Sequence, residues 1–501
     1  MRRSITTAAL LLVLVGSAYA QDTTAAPGPA KDGTLPSLTK IAGQGMMDSH
    51  AFAYLTELSD DIGARVTGSP AMWQAVDWGT AKMKAMGLQN VHTERYQVWK
   101  GWTRGTAEME MLTPRKVRLH VDAMGWTGST PEGGADGEVV PVNLYQIDQE
   151  VKSSSDWKGK VLLVVTKGPA PADRSALFAK FGPFLRTARQ AGALAVIGGQ
   201  GGAPSAGMNL THTGILGFSE DFAIPVLSMT REDQGLLARE LDKGTEIQVH
   251  VNVQNTFTPG TVEAANVVGE IRGSEHPEQV FVVGAHLDSW DLSEGTTDNG
   301  CGAVAVLDAA RAIASAGVTP RRTIRFVLFT GEEQGLLGSF AYVKQHEAEL
   351  ANHLGDLVLD GGQGPIEGVS LGGRDDLVDA FRPFVKSLGS FRQLTLDDRI
   401  EFGTDTGPFS LHGLPGINLD NGSDAYRFTH HSAGDALEAV DPDVLAQNAT
   451  LMALTAYWIA DRPDRLASPW PAERTAKKFV DTHQDGMLKA FGLWPFGNGG
   501  N

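Results

Sequence analysis

From Ala264 onward the sequence alternates apolar, β-branched runs with helical stretches, and this alternation limits the possible fold more than any other feature. The runs ANVVGEI, QVFVVGAH, TIRFVLF, DLVLD and GINLD all have strand length. Helical patterns separate them at Gly302–Ala314, Gly335–Gln345 and Asp376–Leu388. A last helix opens with Asp441 as N-cap and Pro442 in the first helical position. Strands alternating with helices predict a doubly wound α/β sheet. In such sheets chemistry gathers where the strands end at their carboxyl edge.

Those strand ends carry acids and histidines. VVGAH ends in His286, with Asp288 two residues on, and TTDNG places Asp298 before a helix. TIRFVLFTG leads into Glu332 and Glu333, DLVLD ends in Asp360, and FTHHSAGDAL holds His430, His431 and Asp435. One acid after one strand reads as a cap or turn residue. Taken together, these segments bring imidazoles and carboxylates to one sheet edge. Nitrogen and oxygen donors without thiolate suit zinc or a similar divalent ion. So many carboxylates for so few imidazoles make two ions a more economical assignment than one tetrahedral site. The adjacent Glu332 and Glu333 point the same way, because burying like charges unpaired is costly. In extended backbone, neighbouring side chains diverge, so one glutamate is expected to face a metal and the other the water the metals share.

The motifs GAHLDSWD, TGEEQG, GTDTGP and FTHHSAGD resemble those of the M28 family of co-catalytic zinc peptidases. That resemblance implies an α/β mixed sheet of the zinc-exopeptidase type and two Zn2+ ions. It implies that His286 and Asp360 hold one ion, that Glu333 and His431 hold the other, and that Asp298 bridges both. His431 rather than His430 is the implied ligand, because the family pattern puts it four residues before the acid at Asp435. Asp288 is implied to hold the His286 ring by its other nitrogen. Glu332 is implied to be the general base. Zinc lowers the pKa of a bound water from about 16 to about 7, and Glu332 would complete its deprotonation and pass the proton to the leaving amine. Asp405, in GTDTGP, is expected to shape a substrate pocket. The implied activity is that of a dizinc exopeptidase on dipeptides or short peptides, with a homodimer as its form. Aminopeptidase, carboxypeptidase and dipeptidase recognition all stay open.

Between Trp126 and Thr256 the texture differs. KGKVLLVV, FLRTARQAGALAVIGG and IPVLSMTREDQGLLARELDKG resemble a protease-associated insert domain, which leaves residues 46–125 and 257–501 as the catalytic unit. Arg2, Arg3, the apolar AALLLVLVGSA and the small-x-small AYA predict a signal peptide over residues 1–20 and a secreted or periplasmic protein. Residues 21–45 are expected to be a flexible leader. No later apolar run reaches the ~18 residues of a membrane span. The net charge of −17 argues against nucleic acid as a partner. The single cysteine, Cys301, leaves no internal disulfide and reads as a small, buried residue at a helix start.

Two other classes compete. GVSLG around Ser370 matches the Gly-x-Ser-x-Gly elbow of serine hydrolases, with His431 as a candidate base. An elbow needs a helix directly after the serine, whereas GRDD follows here, and the acids would go unexplained. A non-catalytic binding domain is the other class, but every expected ligand position is filled.

Overall fold

The computed structural model describes residues 34–170, 175–198, 209–214, 223–389, 391–400, 402–422 and 425–497. The expected signal peptide and the leader up to residue 33 lie outside the described residues.

Two eight-stranded sheets organise the chain. The larger has the order Gln89–Val98, Val262–Ile271, Arg322–Phe329, His276–His286, His353–Leu359, Gly416–Asn421, Ile366–Ser370 and Thr395–Asp397. The four strands from Arg322–Phe329 to Gly416–Asn421 run parallel. Antiparallel strands flank them on both sides, so the sheet is mixed. Every residue of Arg322–Phe329 and of His353–Leu359 is buried, as central parallel strands covered on both faces require. Ile324, Phe326 and Leu328 join the core formed with helices Cys301–Ser315 and Pro442–Ala460. Val327 and Phe329 face the opposite way, toward Tyr342, Val343 and Phe409. The long C-terminal helix starts as its sequence predicts: the Asp441 carboxylate accepts from Asp443 N and Val444 N, and Pro442 occupies the first turn.

Two boundaries differ from the sequence reading. Part of the expected flexible leader is the helix Thr34–Met47, which packs on Cys301–Ser315 and Pro442–Ala460. Leu38, Ile41 and Gly45 form its buried stripe at helical spacing, and Gly45 lies directly over Thr450. The second sheet takes in Ala107–Thr113, Val117–Leu119 and Val121–Ala123, which composition had placed ahead of the insert. Met109 and Met111 are buried there because Ala107–Thr113 pairs with Gln248–Val253, more than a hundred residues on. The chain leaves and returns through a paired neck, Trp102–Thr103 against Thr256–Phe257.

One close approach sets the spacing at the carboxyl edge. A Cβ on Gly302 would lie 2.3 Å from the Leu359 carbonyl oxygen and 2.3 Å from Asn299 Oδ1. Asn299 already spans this gap, accepting from Gly302 N at 2.9 Å and donating to the Leu359 carbonyl at 2.9 Å. For Gly302→Ala, better helix propensity gains at most about 1 kcal/mol. Displacing a backbone carbonyl by an extra methyl costs about 1–3 kcal/mol. The variant is therefore expected to melt at a lower temperature by scanning calorimetry.

Candidate functional site

The parallel strands deliver their terminal residues to one edge. His286 is the last residue of its strand, and Asp360 directly follows His353–Leu359. Asp298 sits in the bend before helix Cys301–Ser315. His430 and His431 follow the short helix Tyr426–Thr429 beyond strand Gly416–Asn421. His286 Nε2 lies 3.3 Å from Asp298 Oδ1 and 3.3 Å from Asp360 Oδ1. His431 Nε2 lies 3.3 Å from Asp298 Oδ2 and 3.0 Å from Glu333 Oε2. Two donor groups result: His286, Asp298 and Asp360 form one, and Asp298, His430 and His431 form the other. Asp298 belongs to both. His430 is the more distant of the histidine pair, with Nε2 3.9 Å from Asp298 Oδ2, and its ring stacks on His431.

Glu332 and Glu333 reach this edge differently from the sequence reading. The strand stops at Phe329, and Gly331, at φ 74°, begins a turn. The Glu332 carbonyl closes that turn by accepting from Gly335 N and Leu336 N. The backbone here is a turn and not a continuing strand, yet the two side chains still reach different imidazoles. Glu333 meets His431, while Glu332 Oε2 stands 4.0 Å from His286 Nε2.

Asp288 meets the other nitrogen of the His286 ring through its backbone. His286 Nδ1 is 3.0 Å from the backbone carbonyl of Asp288, and the nearer carboxylate oxygen is 3.7 Å away. The carboxylate instead accepts from the Thr67 hydroxyl at 2.7 Å and from Glu332 N at 3.3 Å. The loop curls back on its own strand end, so the carbonyl reaches the ring before the side chain does. Asp435 does similar work on the other side, where its carboxylate accepts from the backbone N–H groups of Thr297 and Asp298. Burial and the Asp298 charge push its pKa up to about 7.

Charge at this edge is unbalanced. Burial pushes Glu332 and Glu333 well above the usual carboxylate range, and neighbouring acids add to the rise. Burial also opposes a charged His286, yet Asp360 and Asp298 hold its pKa well above the ordinary value. Asp298 is held low by His286 and the two C-terminal histidines despite its burial. Asp298 Oδ2 and Glu333 Oε1 are buried without a hydrogen-bond partner among the described residues. One permanent cation, Arg65, is fully buried behind the acids, but its guanidinium donates to the carbonyls of Gly63, Leu287, Glu294 and Gly295. Nothing in GARVTG marked it in advance. An acidic, oxygen-rich edge with three imidazoles and orphaned carboxylate oxygens fits divalent cations. Cys301 contributes no thiolate, since burial pushes its thiol far up. A cleft lined by Trp290, Leu292 and Ser293 opens beside Asp298, Glu333 and His431.

Ser370 does not form a nucleophile elbow. It is fully buried, its hydroxyl donates to the Arg399 carbonyl at 2.9 Å, and Leu371–Arg374 separate it from the next helical turn.

Comparisons with known proteins converge. The model of peptidase family M28 matches residues 266–456. Carboxypeptidase Q of Bos taurus is 30% identical over 436 residues, covering 86% of this chain and 89% of that protein. The crystal structure of a peptidase M28 precursor from Shewanella amazonensis SB2B superposes with a TM-score of 0.77 at 27% identity, over 88% of this chain and all of that one. A zinc aminopeptidase from Bacillus subtilis shares the fold, with a TM-score of 0.63 at 22% identity over 84% of this chain and 97% of its own.

Asp405 lies close enough to the site to feel the charges of His286, Asp360 and Asp288. It is fully buried, and no hydrogen bond of ordinary geometry reaches its carboxyl oxygens or those of buried Asp356. Burial pushes the Asp405 pKa from 3.8 up to about 7; Asp360 and Asp288 add to the rise, while His286 and Ser339 oppose it. The folded state thus holds this proton more tightly than the unfolded chain does. Its contribution to stability is complete below about pH 4 and is lost as the pH rises through about 7. For metal-free protein, Asp405→Asn is expected to flatten the fall in melting temperature across that window, as read by calorimetry in chelator. An unchanged slope would exclude Asp405 as a source of it.

Proposed function

Because this chain belongs to peptidase family M28, we propose that its acidic edge holds two zinc ions and hydrolyses dipeptides or the ends of short peptides, as a carboxypeptidase Q-like exopeptidase. The class is that of a zinc-dependent metallopeptidase; the ion count, residue roles and substrate are the proposal. The observation that carries it is the position of Asp298, whose two carboxylate oxygens each lie 3.3 Å from a different imidazole, His286 on one side and His431 on the other. On this reading His286 and Asp360 hold one ion, Glu333 and His431 the other, and Asp298 both. When bound, zinc acidifies a water and polarises the peptide carbonyl.

Glu332 takes the proton from the attacking water and delivers it to the leaving amine. Its backbone N–H, held 3.3 Å from Asp288 Oδ1, anchors the turn that aims it. Asp288 therefore acts on Glu332 through the backbone and on His286 through its own carbonyl. Its buried carboxylate is pushed upward in pKa by desolvation, with His286, Thr67 and the Glu332 N–H opposing. The second sheet is read as an insert of the protease-associated type that covers part of the cleft and limits substrate length. Export from the cytoplasm is proposed from the basic and apolar pattern of residues 1–20.

The test is a panel of dipeptides, free or blocked at either terminus, given to metal-free enzyme with zinc added back. Glu332→Gln is expected to keep two zinc equivalents by elemental analysis while kcat falls about 10²–10⁴-fold. Asp298→Ala is expected to bind fewer than two. Full turnover by Glu332→Gln would remove the general-base assignment, and active parent enzyme with one zinc would remove the two-ion reading.

A further inference from the structure

The second sheet touches the centre through the short segment Thr211–Gly214. His212 pairs with Ser432 as an antiparallel bridge. Thr213 N donates to the His431 carbonyl at 2.8 Å, and the Thr213 carbonyl lies 3.3 Å from His431 Nδ1. His212 Nδ1 is 2.9 Å from the His430 carbonyl. His431 itself has φ 55°, a left-handed conformation that a non-glycine residue seldom holds without outside support. A hydrogen bond from Nδ1–H to a carbonyl selects the tautomer whose Nε2 lone pair is free. That Nε2 faces Glu333 and Asp298.

One side chain secures Thr213 in this position. Arg104 Nη2 donates to Thr213 Oγ1 at 2.9 Å, and Arg104 Nη1 donates to the Ala123 carbonyl. Its Nε and Nη2 both donate to Asp291 Oδ1, at 2.8 and 2.6 Å. The guanidinium also lies over the Trp102 ring, and its side chain is only 9% exposed. Asp291 belongs to the loop that runs on from His286. Arg104 thus ties together the neck, the second sheet, the segment bonded to His431 and the loop of the opposite imidazole. A planar fork is needed to satisfy these directions at once, which an ammonium cannot do.

We propose that Arg104 is a positioning residue for the metal centre. Through Thr213 it fixes the His431 ring, so that the ion on the Glu333–His431 side depends on contacts made outside the larger sheet. The inference rests on the two-ion reading above. The test is zinc affinity of the metal-free full-length protein, measured by competition with a chromophoric chelator. Arg104→Ala is expected to weaken the ion on the Glu333–His431 side by about 10–100-fold, as loss of a ligand's orienting partner does, and to weaken the other by less. Arg104→Lys is expected to recover only part of that loss. Thr213→Val, which keeps the carbonyl and the volume but removes the hydroxyl, is expected to shift the same ion by less. It decides the matter if Arg104→Ala fails to fold. Equal weakening of both ions, or none in either variant, would overturn the assignment while the parent still binds two. A parent that binds one ion would overturn the two-ion reading, and this inference with it.

Discussion

Repulsion among buried carboxylates is the constraint to which the rest of this molecule answers. Asp288, Asp298, Glu332, Glu333 and Asp435 are all largely withdrawn from water near one sheet edge, with Asp360 beside them. Water would have screened these charges; the interior does not. The permanent cation buried behind them among the described residues, Arg65, has its hydrogen bonds taken by four backbone carbonyls. It therefore offsets the acids through its field, and no carboxylate is neutralised by contact with it.

Backbone groups do much of the remaining work. The N–H groups of Thr297 and Asp298 are given to Asp435, and that of Glu332 to Asp288. Each of these bonds fixes a loop carrying one of the proposed ligands or the proposed base, so an acid that is not itself a ligand still determines where one sits. The imidazoles are held alike: His286 faces the Asp288 carbonyl and His431 the Thr213 carbonyl. A carbonyl acceptor holds a ring without adding another negative charge to a crowded edge, and this accounts for carbonyls where a carboxylate would ordinarily be expected.

Much of the candidate site was legible because donors sit at strand ends, and strand ends show as breaks in an apolar pattern. The segments carrying His286, Asp298, Glu332, Glu333, Asp360, His430 and His431 were found that way and do come together, while the choice of ligands among them came from the family resemblance. What stayed hidden shares a cause. Asp405 has a motif-like setting, but its depth of burial depended on how helix Thr406–Leu411 packs. The turn at Gly331 was legible, but which imidazole each of Glu332 and Glu333 meets depended on how that turn packs. The helix Thr34–Met47 was hidden in a segment rich in small and polar residues. Its three-residue stripe means little until Thr450 and its neighbours supply the surface it packs on.

From residue order alone came the alternating α/β architecture, the edge where chemistry gathers and the oxygen–nitrogen donor set. Periodicity records which faces are buried and where each strand stops. Only the tertiary structure decided that the second sheet begins near Ala107, that Arg65 lies behind the acids, and that Thr213, held by Arg104, meets an imidazole carried beyond the larger sheet. Those facts depend on pairings between distant segments and on backbone carbonyls. Every residue carries a carbonyl, so no residue type in the sequence could have marked which one would be used.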